Sequence, residues 1–160
     1  MELEFDVKMS TSALYDYNMH HTYTSVSGVL ATMVGILLIL GFINVPKFLA
    51  LLVAGVVILL YSPITLFTRS KKQILLNPAF KNPLHYKMDD TGVTVSNGQE
   101  ELTVEWANMY KAYSTNQSII LATGKNNAWI FPKHDLGEKR YDVIEMISKH
   151  MPPESIRIKQ

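Results

Sequence analysis

Charge is missing from two long stretches of this chain, and that absence limits what it can fold into more than any other feature. No Asp, Glu, Lys or Arg occurs from Tyr17 to Pro46 or from Phe48 to Thr68, and Lys47 alone separates the two. A helix rises about 1.5 Å per residue and the bilayer hydrocarbon is about 30 Å thick, so each run is long enough to cross. Ser25 to Ile43 carries Val29, Leu30, Met33, Val34, Ile36 and Leu37, apolar around the whole helix circumference. A surface helix of a soluble protein is not built that way. The remainder of the 160-residue chain is too short to bury two such helices in its own core.

The link Asn44-Val45-Pro46-Lys47 favours a tight turn, because Pro46 cannot continue a helical hydrogen-bond ladder. So short a link makes the helices antiparallel neighbours. Folding about it predicts Gly41 near Ala50 and Gly35 near Gly55 and Val56, where small residues let backbones approach in lipid. Gly28, Thr32 and Gly35 form a further small-residue stripe, available to the hairpin or to a second copy. Arg69, Lys71 and Lys72 follow the second helix, against the single Lys47 at the turn. The positive-inside rule therefore places both termini in the cytoplasm, with anionic headgroups attracted to the same three cations. Tyr23 and Tyr61 stand where aromatic belts lie. The opening Glu2, Glu4 and Asp6 with only Lys8 is too acidic for a secretory signal.

Beyond Pro83 the period changes to two. Leu84, Tyr86 and Met88 alternate with polar residues, Asp89 to Gly92 turns the chain, and Val93 and Val95 begin a second strand. Asn97-Gly98 signals a two-residue hairpin, and Leu102, Val104 and Trp106 line a third strand. Further strands are expected over Met109 to Tyr113, Ser118 to Ala122 and Ala128 to Phe131, with a turn from Gly124 to Asn127. Asp135 is expected to cap a helix carrying Tyr141, Ile144 and Ile147 on one side, stopped by Pro152-Pro153. At the other end, Leu3, Phe5, Val7 and Met9 alternate with charged residues. A lone strand cannot persist in water, so this one is expected to join the C-terminal sheet with Phe5 inside. Ser10, Thr11 and Ser12 then start a helix leading to the first crossing. The expected core is Phe5, Val93, Trp106, Phe131, Ile144 and Ile147.

The fold class expected is thus a membrane α-helical hairpin plus a small α+β domain, an antiparallel curved sheet or partly open barrel closed by a C-terminal helix. In residue numbers, 1–21 form a cytoplasmic strand and pre-membrane helix, with crossings at 22–43 and 48–68 around a turn at 44–47. A basic linker, 69–83, leads to the domain at 84–153 and a tail at 154–160.

Several segments together resemble one family. They are Glu4 to Met9, Leu14 to Tyr17, His21-Thr22-Tyr23, Asp90 to Val93, Val104-Glu105-Trp106 and Ile130 to Lys133. In these the chain resembles the YcxB-like family. The resemblance implies a small bacterial cell-membrane protein with two transmembrane helices and a C-terminal domain similar to pleckstrin-homology folds. It supplies no catalytic residues. Phosphoinositide-binding pleckstrin-homology domains use a basic first hairpin, whereas here that turn holds Asp89 and Asp90 beside Lys87 alone, which argues against an inositol phosphate pocket.

The chemistry-bearing residues form no reaction centre. Asp16 and His20 share a helix face, but zinc needs three or four ligands, and only folding could add His85 or His134. Asp89-Asp90 fits turn chemistry better than acid–base catalysis, and Trp106 and Trp129 fit sheet packing. No cysteine is present, and no nucleophile elbow, phosphate loop or dinucleotide fingerprint occurs. With a net charge of +1 there is no basic stripe for nucleic acid. The sequence therefore predicts no catalytic site, metal or cofactor. The expected partners are the lipid bilayer and either a partner protein or further copies in a homo-oligomer, with no small-molecule substrate. The function expected is a non-enzymatic, membrane-anchored cytoplasmic interaction module, acting as an adaptor or in assembly or regulation. The alternative is a small oligomeric transporter or channel subunit.

Overall fold

The computed structural model describes residues 2–98, 100–124 and 127–158. The chain opens with strand β1 (Leu3–Val7) and helix α1 (Thr11–Thr24), followed by two long apolar helices, α2 (Val26–Asn44) and α3 (Leu49–Leu76). Strands β2 (Leu84–Met88), β3 (Gly92–Ser96), β4 (Glu101–Glu105), β5 (Lys111–Ser114), β6 (Ser118–Ala122) and β7 (Ala128–Pro132) follow. A short helix α4 (Lys133–Leu136), helix α5 (Lys139–His150) and the two-residue strand β8 (Ile156–Arg157) complete the chain.

Helices α2 and α3 are long and apolar enough to cross a membrane, and only 11% and 6% of their apolar windows are buried by the rest of the chain. Core helices of a soluble protein would be mostly covered, so their exposed apolar surface fits a membrane-anchored protein. They meet where neither has a side chain. A Cβ on Gly55 would sit 2.8 Å from the Gly35 carbonyl oxygen, and one on Gly35 would sit 2.7 Å from Leu59 Cδ2. Gly41 faces Leu51 with ordinary clearance, and Ala50 is exposed. Pro63 lies inside α3, which nevertheless continues through Arg69, Lys71 and Lys72 to Leu76. Residues 69–76 of the expected linker are therefore helical.

Gly28 makes room for backbone at the bend between α1 and α2. A Cβ there would stand 2.0 Å from the backbone oxygen of Thr22, so the glycine lets the end of α1 fold against the first turn of α2. Ser25 makes the bend in extended conformation, and its hydroxyl accepts from the Gly28 N–H. Thr32 returns its own hydroxyl to the Gly28 carbonyl, 2.8 Å away.

The domain consists of two four-stranded sheets, ordered β1-β2-β3-β4 and β7-β6-β5-β8. Each is a separate hydrogen-bonded sheet, so the domain is built of two packed sheets with no closed barrel. The N-terminal strand pairs antiparallel with β2, placing Phe5 opposite Tyr86. Leu3, Phe5 and Val7 are buried while Glu2, Glu4 and Asp6 are exposed, as the period-2 pattern requires. Phe5, Tyr86 and Phe131 then form a mutual aromatic cluster that ties the sheets together, with centroids 4.9 to 5.7 Å apart. Val93, Ile147, Val143 and Met146 are also buried in this core.

Several details differ from the sequence expectation for physical reasons. Trp106 leaves the third strand at Glu105 and starts a 3-10 turn. There its indole N–H reaches the Asp89 carbonyl at 2.8 Å and its ring stacks on His150. Leu102 is exposed because β4 is a sheet edge with little covering either face. Asp135 does not cap the long helix; it sits inside α4, and its carboxylate accepts the Lys8 backbone N–H at 3.0 Å. Gly137, at φ 54°, separates α4 from α5. On α5 the buried side falls on Val143, Met146 and Ile147, so Tyr141 is exposed and Ile144 half-buried. The Asn97 N–H donates to the Glu100 carbonyl, so that hairpin tightens one residue later than Asn97-Gly98 suggests. The turn expected over Gly124 to Asn127 includes residues 125 and 126, outside the described set. Within the expected tail, Ile156 and Arg157 form the parallel strand β8 beside β5.

Candidate functional site: a cleft between helix α1 and the second sheet

Every residue of β6 is buried. One face supplies Ile119 and Leu121 to the main core, while Ile120 faces a second cluster with Ile130, Tyr113, Met9, Ala13 and Leu14. Helix α1 thus covers the outer face of the second sheet, and Ile74 from α3 packs on the same cluster. Two further contacts hold α1 to α3: Tyr15 against Phe67, with ring centroids 5.7 Å apart, and the Asn18 amide on Ser70 Oγ at 3.0 Å. The apolar helices and the α+β domain therefore share a packed joint, with α1 as its wedge.

An open cleft of about 1350 Å³ lies along this wedge, between α1, β5 and the C-terminal segment. The register builds its cationic wall. Arg157 pairs with Tyr113 in the parallel β5–β8 ladder, so both side chains stand on one face, with Lys111 two residues earlier on the same side. Lys133 and Arg140 line the cleft from α4 and α5, and the carboxylates are Asp16 and Glu154. Among the described residues none of these four cations forms an ion pair. Lys111 Nζ lies 5.0 Å from the centre of the Tyr113 ring. Arg140 donates to the Tyr141 hydroxyl at 2.8 Å, and Lys133 donates to the carbonyls of Thr115 and Asn116. The same β5–β6 turn is held from α1, where Asp16 accepts the Gln117 N–H at 3.2 Å and Ser12 bonds the Gln117 side chain.

The titrating groups respond to this enclosure. Burial pushes the Tyr113 phenol up to about 12 and raises Tyr17 as well. His20 stacks on Tyr113 with centroids 5.0 Å apart. Its pKa is lowered chiefly by desolvation, with Asp16 opposing and Lys111 reinforcing the shift. Tyr23 and Thr24, immediately before the Ser25 bend, also line the cleft. Its mouth therefore opens where the first apolar helix begins.

The other residues singled out by sequence do not converge. His85 bonds Asp6 at 2.8 Å and His134 lies beside Asp135, both away from Asp16 and His20. No group of three or more potential metal ligands occurs among the described residues. Asp89 closes its own turn, accepting from Thr91 and Gly92, and its carboxyl is held low by the Thr91 hydroxyl and these backbone donors. Asp90 pairs with Lys149. Trp129 packs against Tyr86. Arg69, Lys71 and Lys72 are exposed on α3, flanking the buried Ser70. Sequence reasoning passed over Lys111, Arg140 and Arg157, which are scattered among turns and strand ends. Only the Lys111-x-Tyr113 alternation hints that two of the cleft residues share a face.

Two apolar helices followed by a two-sheet α+β domain define a class: a small domain on a helical hairpin. More particularly, residues 89–146 match the family described as YcxB-like protein. That match runs from the β2–β3 turn into α5, taking in Lys111, Lys133 and Arg140 but not Arg157, α1 or the hairpin. No curated protein and no solved structure matches the chain.

Proposed function

We propose that the chain is a non-enzymatic, membrane-anchored interaction module of the bacterial cell membrane, with both termini and the α+β domain on the cytoplasmic side. The observation that carries this reading is the joint made by α1, which packs the domain against the end of α3. A domain held this way presents the α1 cleft at a fixed position beside the bilayer, as an adaptor or assembly protein requires. The orientation draws on Arg69, Lys71 and Lys72 at one end of the hairpin against Lys47 at the other. A four-stranded meander, a three-stranded meander and the helix α5 support a likeness to pleckstrin-homology folds.

The decisive test is purification of the tagged full chain from native membranes in mild detergent. A distinct protein recovered in fixed ratio, after cross-linking in the intact membrane, supports the module. A defined homo-oligomer that passes ions in liposomes would instead establish the transporter or channel reading. Orientation is tested separately in this cysteine-free chain. Asn44→Cys should react with an impermeant thiol reagent in intact cells and Glu101→Cys should not; the reverse pattern overturns the orientation.

A further inference from the structure

The α1 cleft brings together Lys111, Lys133, Arg140 and Arg157 against the carboxylates Asp16 and Glu154, a local excess of positive charge in a chain whose overall net charge is only +1. None of these four is neutralised by a carboxylate among the described residues. Lys111 and Arg157 are exposed and stand on one face of the second sheet, two residues apart in register. An ammonium and a guanidinium so placed can both reach one tetrahedral anion, and Arg supplies paired N–H donors for it. Tyr113 and Tyr23 add apolar walls with polar tips, the side-chain type that suits a boundary between water and hydrocarbon. Neither Asp89 nor Asp90 of the β2–β3 turn lines the cleft.

Placement distinguishes the source of the anion. Thr24 lines the cleft, Ser25 makes the bend, and Val26 begins an apolar helix. A phosphate in the cleft can therefore belong to a molecule whose acyl chains lie along α2. A free phosphate or a phosphorylated peptide would need no such neighbour.

We propose that this cleft binds the phosphate headgroup of one anionic phospholipid, with Lys111 and Arg157 as the primary contacts and Arg140 and Lys133 adding charge from α5 and α4. It rests on the membrane-anchored reading for its position beside the bilayer. It also deepens that reading: the module senses or is positioned by lipid charge at a built site. The three cations on α3 attract the same lipids less specifically, as a collar.

The test uses the full chain in mild detergent, titrated with phosphatidylglycerol, phosphatidic acid or phosphatidylcholine, with retained lipid counted by native mass spectrometry. One anionic lipid per chain should persist at concentrations where phosphatidylcholine is lost. Lys111→Gln with Arg157→Gln should raise the half-saturating concentration at least about tenfold, while Lys111→Arg with Arg157→Lys should restore most of it. Arg69→Gln, Lys71→Gln and Lys72→Gln together should change it less than about twofold. Equal weakening by the collar and cleft variants would overturn the site, as would equal retention of phosphatidylcholine. Inorganic phosphate or a phosphoserine peptide that displaces the lipid at equal concentration would overturn the lipid as ligand. The charge-restoring variant keeps the proposal testable if the double glutamine variant does not fold. Alkaline carbonate extraction separates the two readings. A chain that stays in the pellet but retains no anionic lipid refutes the cleft alone, whereas release by carbonate refutes the anchor.

Discussion

The side-chain amide of Asn18 donates to the hydroxyl of Ser70, 3.0 Å away, and Ser70 has no solvent exposure. This bond spans the joint between α1 and α3, at the level where apolar sequence gives way to Arg69, Lys71 and Lys72. A buried hydroxyl that loses its partner costs about 1–3 kcal/mol, while removing both partners costs less. Asn18→Ala and Ser70→Ala should each destabilise the chain in detergent by about 1–2 kcal/mol. The double variant should fall short of the sum by about 0.5–1.5 kcal/mol. Strict additivity in thermal unfolding would show that the two side chains do not act as a pair.

Three glycines of the hairpin should respond differently to one methyl group. At Gly28 a Cβ meets the Thr22 carbonyl at 2.0 Å, and at Gly55 it meets the Gly35 carbonyl at 2.8 Å; both obstacles are backbone and cannot rotate away. At Gly41 the nearest atom is Leu51 Cδ1 at 3.6 Å. Gly28→Ala and Gly55→Ala should therefore cost about 1–3 kcal/mol. Gly41→Ala should be neutral or stabilising by up to about 1 kcal/mol, because it restricts the unfolded chain. Melting temperatures in one detergent would rank the three, and a damaging Gly41→Ala would contradict the observed helix contact.

His20 gives the domain a pH dependence whose sign follows from its environment. Burial against Tyr113 lowers its pKa below the ordinary value of 6.5. The unfolded chain therefore takes up the proton first as pH falls, and stability declines below about pH 6.5 until the folded group also protonates. Above that pH the contribution of His20 is fully present. His20→Gln should flatten this part of the stability profile measured between pH 7.5 and about 5. An unchanged slope would place the acid sensitivity in other groups.

The hairpin was legible because exclusion of charge over some twenty residues has few physical solutions. The alternation in Leu3 to Met9 was equally readable, and so was the need for a partner strand. What the sequence concealed depends on contacts between distant residues. Ser118 to Ala122 reads as a strand, but nothing local says that α1 will cover its second face. Gly28 looks like part of a packing stripe, and only the Ser25 bend shows that it makes room for the Thr22 carbonyl. Trp106 continues an alternating pattern, yet its indole N–H needs an acceptor when buried and finds it at Asp89 after the strand has ended. The cleft was least visible, since Lys111, Lys133, Arg140 and Arg157 are far apart in sequence and meet through the register of β5 with β8 and the helices that follow β7.

The N-terminal strand offers the sharpest check on how the two ends of the chain depend on each other. Phe5 is stacked on Tyr86 and set edge-on to Phe131, linking the first sheet to the second. Beyond the strand, the Lys8 N–H is held by Asp135, and Lys139 Nζ reaches the Glu4 carbonyl at 2.8 Å. The segment before the two apolar helices is thus part of the domain after them. Truncating a buried aromatic of this kind costs about 3–5 kcal/mol. Phe5→Ala should therefore unfold the domain at markedly lower temperature, whereas Glu2→Ala, on the exposed flank, should change stability by less than about 0.5 kcal/mol. In the intact chain, the amides of Leu3–Val7 that point at β2 should exchange as slowly as those of β3. Rapid exchange throughout Leu3–Val7, together with a mild effect of Phe5→Ala, would mean that the strand is not part of the folded domain in solution.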